Sequence, residues 1–409
     1  MMPITLQNER HLKELRLLLE ETCCNLCRFH HIEQDGLKPD EVRIEQEVCM
    51  GASDAFADIK VQPQGLPPYF IEVNYGYPPE KIVAHMARKY GTGMPGLQGA
   101  SKVILVIDIH EHESWIEIQQ QVESCLQGLK LEIWDEEHLV SLIHKRFELE
   151  IDSISGSNAF ELQKALDNAN GQYVFGDEWA NNPLQSSLLW HFSPWKLKQL
   201  REKENLEPRD VMSPGMYKDV VTILVDLSSF SSYVRDTRSE EVVRHALTSF
   251  YSKTRYEILN TGGMLYQFVG DEVIGLYGIP ERQAGYHEAA LECAESLVHI
   301  GNSVSNQWQR HIDRVQESRG VHIGMAVGPI QFVSLRPFSR VHLGAVSDSI
   351  NMAARLLSHA GPGEVVISNT YYQNLDHKYQ AGFTELEPVD ARNVGKIIAW
   401  KKRFQELKS

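Results

Sequence analysis

The residues best suited to chemistry sit in three short blocks of the C-terminal half. Asp226 ends the apolar run Val-Val-Thr-Ile-Leu-Val and precedes Leu-Ser-Ser-Phe. Asp271 stands in Phe-Val-Gly-Asp-Glu, after the stretch Gly-Gly-Met-Leu-Tyr-Gln. Asn351 and Arg355 bracket Met-Ala-Ala, and a four-residue spacing puts both on one face of a helix. Each block has an ordinary reading. An Asp before Ser-Ser caps a helix, a Gly-Asp pair turns a hairpin, and an Asn/Arg pair decorates a solvated helix face. The sharper reading of that last pair is an amide for a ribose and a guanidinium for a phosphate.

The surrounding pattern supplies elements to position them. From Tyr217 onward it reads strand 219–225, helix 239–260, a hairpin of 263–269 and 272–277, and helix 285–311. Strands 320–327 and 338–345, helix 348–359, strand 364–368 and a last hairpin follow. This order is that of a ferredoxin-like βαββαβ core with additions. Asp226 then falls at a strand end, Asp271 at a hairpin turn, and Asn351 and Arg355 on a helix.

Taken together, Val-Asp-Leu-Ser-Ser-Phe, the 262–278 hairpin and the Ser347–Ser368 segment resemble the three defining blocks of the class III nucleotidyl cyclases. The resemblance spans 216–405 and implies a two-metal catalyst. Asp226, Asp271 and the Leu227 carbonyl would hold two Mg²⁺ or Mn²⁺ ions per site. The N–H groups of Ser228, Ser229 and Phe230 would meet the triphosphate. Arg355 would stabilise charge on the α-phosphate, Asn351 would orient the ribose, and Lys396 stands near a phosphate-binding lysine of the family. In this family the aspartates and the Asn/Arg pair meet only across a head-to-tail dimer, so a homodimer with a nucleoside triphosphate substrate is implied.

Base recognition departs from the purine cyclases. Adenylyl cyclases of this kind carry Lys, and guanylyl cyclases Glu, four residues before the second metal Asp; here the residue is Gln267. The second base-reading position maps to Gly344, with His342 or Val346 as shifted alternatives. A Gln amide donates and accepts, so alone it selects no base. Strand alternation predicts that Tyr266 points away from Gln267. With the stretch DLSSFSSYVRDT, these departures resemble the pyrimidine cyclases of the bacterial Pycsar anti-phage system. Such enzymes make cyclic UMP or cyclic CMP, which activates an effector protein. UTP is placed ahead of CTP; an adenylyl cyclase with an atypical pocket is the alternative.

The N-terminal half alternates strands and helices, an α/β domain over 1–150. Asp58 in Ala-Asp-Ile-Lys and Glu72 in Glu-Val-Asn resemble the core of restriction-endonuclease-like domains. Asn74 replaces the lysine expected there and cannot serve as a cation, and Lys60 lies on the wrong strand. The resemblance implies a degenerate nuclease-like domain for sensing or dimer control. Solvated acidic residues, or a nuclease with an appended sensor, are the alternatives. Polar joints around at least one helix fill a helical linker, 151–215, ending in Pro-Arg-Asp-Val-Met-Ser-Pro-Gly.

Composition bounds the rest. A chain of 409 residues suits two domains. The formal charge of −15, with no local basic patch, argues against a nucleic-acid partner. No apolar run reaches membrane-spanning length and the start lacks a signal-peptide core, so a soluble cytoplasmic protein is expected. Six cysteines make no disulfide framework; Cys24 and Cys27 read as buried together on one helix face, with a metal reading of the Cys23, Cys24, Cys27, His30 and His31 cluster as the alternative. A catalytically silent nucleotide-binding regulator is the competing class of function.

Overall fold

The computed structural model describes residues 4–51, 55–91, 94–108, 115–126, 128–204, 206–316, 318–335, 342–391 and 395–404. The chain forms two compact units, the first running to Gln172 and the second from Tyr173 to Gln405.

The first unit begins with α1 (Ile4–Gln34), followed by β1 (Val42–Cys49), β2 (Phe56–Pro63) and β3 (Tyr69–Val73). Then come α2 (Pro79–Tyr90), β4 (Lys102–Val106), α3 (Trp115–Cys125), β5 (Lys130–Trp134), α4 (Glu136–Phe147) and α5 (Ala159–Phe175). The five strands pair in chain order, the first three antiparallel and the last three parallel. Phe70, Val103 and Leu105 face Ile82, Met86 and Tyr90 of α2 and Val122 of α3. Tyr69, one residue out of phase with Phe70, turns to α1, where its hydroxyl meets His31 Nε2 at 3.0 Å. Cys23, Cys24 and Cys27 are buried free thiols.

The second unit opens with α6 (Pro183–His191) and α7 (Pro194–Glu204). Its core follows as β6 (Gly215–Leu227), α8 (Phe230–Asp236), α9 (Glu240–Asn260), β7 (Met264–Val269), β8 (Glu272–Tyr277), α10 (Tyr286–Gln309) and β9 (Val321–Leu335). Added to it are β10 (His342–Val346), α11 (Asp348–Leu357), β11 (Glu364–Ser368), α12 (Asn369–Asn374) and α13 (His377–Gln380). The short strands β12 (Thr384–Glu385), β13 (Val389–Ala391), β14 (Gly395–Ile397) and β15 (Ala399–Arg403) complete it. The main sheet runs β12-β15-β11-β9-β6-β8-β7, with β10 on β9. Its β9-β6-β8-β7 centre is the strand order of the expected ferredoxin-like core.

Alternation along β6 builds two cores. Val221, Ile223, Val225 and Leu227 face α9 and α10, whereas Val220 and Leu224 face α7 and α11. Glycine decides how closely α11 lies on the sheet: a Cβ at Gly324 would meet Ala353 O at 2.1 Å. Helices α6 and α7 occupy the stretch read as a polar linker. Leu188, Phe192, Leu197 and Leu200 are buried with Val220 and Leu224, an apolar set that Ser, Asn and Gln neighbours conceal in the sequence. Residues 338–341 of the expected strand 338–345 lie outside the described residues, and β10 begins at His342.

Candidate active site

Asp226 ends the central strand of the sheet, where it pairs with Glu272 of β8 on one side and His322 of β9 on the other. Directly opposed residues share a sheet face, so the three side chains form one row. The apolar strand VVTILV runs beneath the sheet's covering helices until Asp226, which is a quarter exposed. Its Oδ2 lies 3.2 Å from His322 Nε2, and His322 Nδ1 lies 3.1 Å from Ser228 Oγ.

Asp271 occupies the two-residue turn between β7 and β8, after Gly270, whose φ of 63° no side chain opposes. Tyr251 of α9 donates its hydroxyl to the Gly270 carbonyl and so fixes the turn. Burial, then a hydrogen bond to Asp226 and that residue's charge, push the Asp271 carboxyl up to about 7. Glu272 is also raised, by burial and then by Asp226, and His322 opposes the shift. Two carboxyl groups this close coexist only with a shared proton or a cation between them. The donor set therefore fits a hard divalent ion such as Mg²⁺ or Mn²⁺. No group of three or more His, Cys, Asp or Glu side chains forms a metal cage among the described residues. A cation here would rest on the two aspartates and main-chain oxygen, with water or phosphate completing its shell.

The turn after β6 differs from expectation. Ser229 adopts a left-handed φ of 59° and starts α8. The Ser228 N–H donates to Gly320 O at 2.9 Å, which removes it from the expected triphosphate-binding set. That bond closes the β6–β9 edge, a partner no local sequence signal announces. The N–H groups of Ser229 and Phe230 have no such bond among the described residues.

Ser347 caps α11 by accepting the Ser349 N–H at 3.0 Å. Ala353, Leu356 and Leu357 bury the inner face, which leaves Asn351 exposed and Arg355 partly so. Neither side chain bonds to Asp226 or Asp271 among the described residues. One chain thus brings the two aspartates together, while the Asn/Arg pair makes no bond to them among the described residues. Lys396 is exposed on β14, opposite Asp390 of β13, in a hairpin whose Val389 and Ile397 join the core with α11.

Around the base-reading positions the expected alternation fails. Register slips between Leu265 and Gln267. Leu265 and Phe268 both face the α9 core, while Tyr266 packs into the opposite one. The bulge therefore puts Tyr266 and Gln267 on the same side of β7, correcting the expectation that they diverge. Tyr266 Oη accepts the Ala345 N–H at 2.9 Å, and its ring meets Phe332 edge-on. Gln267 is exposed and Gly344 is buried on β10 beside Val333. Val346 is exposed, and the His342 side chain lies outside the described residues. Sequence reasoning missed His322, although a lone imidazole in Val-His-Ile-Gly-Met-Ala-Val is a detectable break in an apolar strand.

In the first unit Asp58 and Glu72 meet a cation after all. Lys89 of α2 reaches Asp58 Oδ1 at 2.7 Å and also donates to Glu72. Tyr90 donates to Glu72 Oε1 at 2.6 Å, and the Asp58 N–H donates to the same atom at 3.2 Å. Burial and then Asp58 push Glu72 up to about 8, yet three donors and no acceptor surround it, which holds it as the carboxylate. Glu72 is fully buried, so the reading as solvated acids is corrected. The missing ammonium is likewise corrected: it arrives from a helix rather than from position 74. Asn74 instead sits 3.3 Å from His85 through Oδ1, and Lys60 is on β2, opposite Phe70.

Residues 212–402 match the family model described as the adenylate and guanylate cyclase catalytic domain. Solved structures with a similar chain include the guanylate cyclase domain of RhGC from Catenaria anguillulae in complex with GTP. It is 20% identical over 46% of this chain and 98% of that chain, with a TM-score of 0.36. The adenylyl cyclase CyaB from P. aeruginosa is 17% identical over 46% of this chain and 95% of that chain, with a TM-score of 0.41. No curated protein matches the chain. The matched segment takes in Asp226, Asp271, Asn351 and Arg355, and this part of the chain is a class III adenylyl/guanylyl cyclase-type catalytic domain.

Proposed function

We propose that the chain is a homodimeric pyrimidine nucleotide cyclase, converting a nucleoside triphosphate to its 3′,5′-cyclic nucleotide and pyrophosphate. The observation that carries the cyclase reading is the Asp226–Asp271 pair at the end of the central strands, where burial and then Asp226 raise the Asp271 carboxyl. Asp226, Asp271 and the Leu227 carbonyl would hold two Mg²⁺ or Mn²⁺ ions. When bound, such ions acidify the ribose 3′-hydroxyl and offset triphosphate charge. The N–H groups of Ser229 and Phe230, with Lys396, bind phosphate oxygens. Asn351 and Arg355 of the second copy complete the site, Asn351 orienting the ribose and Arg355 stabilising charge on the α-phosphate. The 3′-oxygen bonds to the α-phosphorus, and the bond to the pyrophosphate oxygen breaks in line.

Support for pyrimidine selectivity comes from the pocket positions. Gln267 and Gly344 offer neither the Lys nor the Glu of the purine enzymes, and Tyr266 stands beside them. An aromatic ring fastened there narrows the room for a base, which favours one ring over two. UTP is placed ahead of CTP. The cyclic product would act on a nucleotide-binding effector in anti-phage defence. The first unit (expected over 1–150, with a linker over 151–215 before the catalytic domain at 216–405) would serve as its sensor or regulator.

The test is direct. Purified protein with Mn²⁺ is given each nucleoside triphosphate separately and the products are weighed. Cyclic UMP or cyclic CMP is expected, and none from Asp271→Ala. Cyclic AMP alone would replace the pyrimidine reading with an adenylyl cyclase of atypical pocket. No pyrophosphate from any substrate would leave a silent nucleotide-binding regulator.

A further inference from the structure

Of the row Glu272–Asp226–His322, the proposed reaction uses only Asp226. His322 is held at both ring nitrogens, 3.2 Å from Asp226 Oδ2 and 3.1 Å from Ser228 Oγ. The Nε2–Oδ2 contact is an electrostatic one, an imidazole nitrogen against a carboxylate that only accepts. The Ser228 hydroxyl lies within hydrogen-bond reach of Nδ1 on the other side of the ring. Ser228 is itself fixed by its N–H bond to Gly320 O at 2.9 Å. The side chains of His322 and Asp226 are 20% and 25% exposed, so the pair lies at the rim of the site and not in the core. The contact at Oδ2 favours an orientation of Asp226 in which it also faces Asp271, whose carboxyl it raises.

We propose that His322 is a positioning residue of the metal site. It keeps Asp226 in the orientation that receives a divalent cation and ties that carboxylate to the Ser228 turn beside the triphosphate. This rests on the reading of Asp226 as a metal ligand. Partners that orient a ligand in this way typically change metal affinity by about 10–100-fold when removed.

The test titrates full-length protein with Mn²⁺ alone and counts free ion by electron paramagnetic resonance, so no turnover is involved. His322→Phe keeps ring volume without the N–H and is expected to weaken Mn²⁺ binding by about tenfold. His322→Gln keeps an amide N–H and should stay within about threefold of the wild type. Ser228→Ala should weaken binding in the same direction by less. Asp226→Asn should remove the site.

Wild-type affinity in His322→Phe, or equal losses in the Phe and Gln variants, would overturn the proposal. So would wild-type protein that binds no Mn²⁺. If His322→Phe does not fold, an unchanged Ser228→Ala overturns the tie to the turn. Mn²⁺ binding that follows this pattern without any cyclic product would sink the cyclase reading and leave His322 standing. In active protein, His322→Phe should raise the Mn²⁺ needed for half-maximal rate and leave the substrate KM at saturating Mn²⁺ unchanged. A raised KM with unchanged Mn²⁺ dependence would make His322 a phosphate contact instead.

Discussion

Asp226 and Tyr266 show how far a single residue's role depends on its neighbours across the sheet. Asp226 could cap a helix, but the register sets it between Glu272 and His322 and close to Asp271. Tyr266 was expected to face away from Gln267, and a bulge turns it toward β10. Tyr266→Ala is therefore expected to open the base pocket and raise purine turnover relative to pyrimidine by about tenfold, measured as the ratio of kcat/KM values. Lys89 is the corresponding residue of the first unit, bridging Asp58 and the buried Glu72. Lys89→Met strands two carboxylates and should cost about 3–5 kcal/mol. Without the ammonium, burial raises the carboxyl pKa in the folded state above its unfolded value. The remaining stability is then fully present below the unfolded pKa and lost as pH rises. Denaturant unfolding of the variant should accordingly show a larger deficit at pH 8 than at pH 5.

At the scale of elements, α6 and α7 are fastened to the hairpin that carries Asp271. His191 Nδ1 lies 2.6 Å from Leu265 O. Arg255 donates to Leu189 O at 2.8 Å. Lys196 donates to Gly262 O and, at 3.0 Å, to Ile279 O, one at each outer end of the β7–β8 hairpin. Lys196→Met leaves both carbonyls without this donor, and a loss of about 2–4 kcal/mol is expected in the unfolding of the second unit. Burial lowers the Lys196 pKa to about 8, with Glu281 opposing. The unfolded chain then binds more protons between about pH 8 and the usual lysine value. Wild-type stability relative to the variant should rise with pH across that window.

For the whole molecule, the proposed catalysis between copies is consistent with the lack of any bond from Asn351 or Arg355 to the aspartate pair among the described residues. A chain with Asp226→Asn and Asp271→Asn should be inactive, as should one with Asn351→Ala and Arg355→Ala. Mixed in equal amounts, half of the dimers would pair the two chains and each would hold one intact site of two. Activity should then recover to about a quarter of wild type. No recovery on mixing, with both variants folded, would favour a site completed within one chain. No helix among the described residues is long and apolar enough to cross a membrane.

Local pattern carried most of the element order. Helices α9 and α10 start within one residue of where they were expected, because apolar spacing is a local signal. The three chemistry-bearing blocks were legible for the same reason, since each is a short run at one turn or helix face. What lay beyond the sequence depended on contacts between distant strands. A bulge in β7 moved Tyr266, the β6–β9 register brought His322 to Asp226, and a bond to Gly320 claimed the Ser228 N–H. Helix α2 delivered Lys89 to acids 17 and 31 positions away. Side-chain type sets what a residue can do; only the tertiary register decides which groups share a face, and so which of those capacities are used.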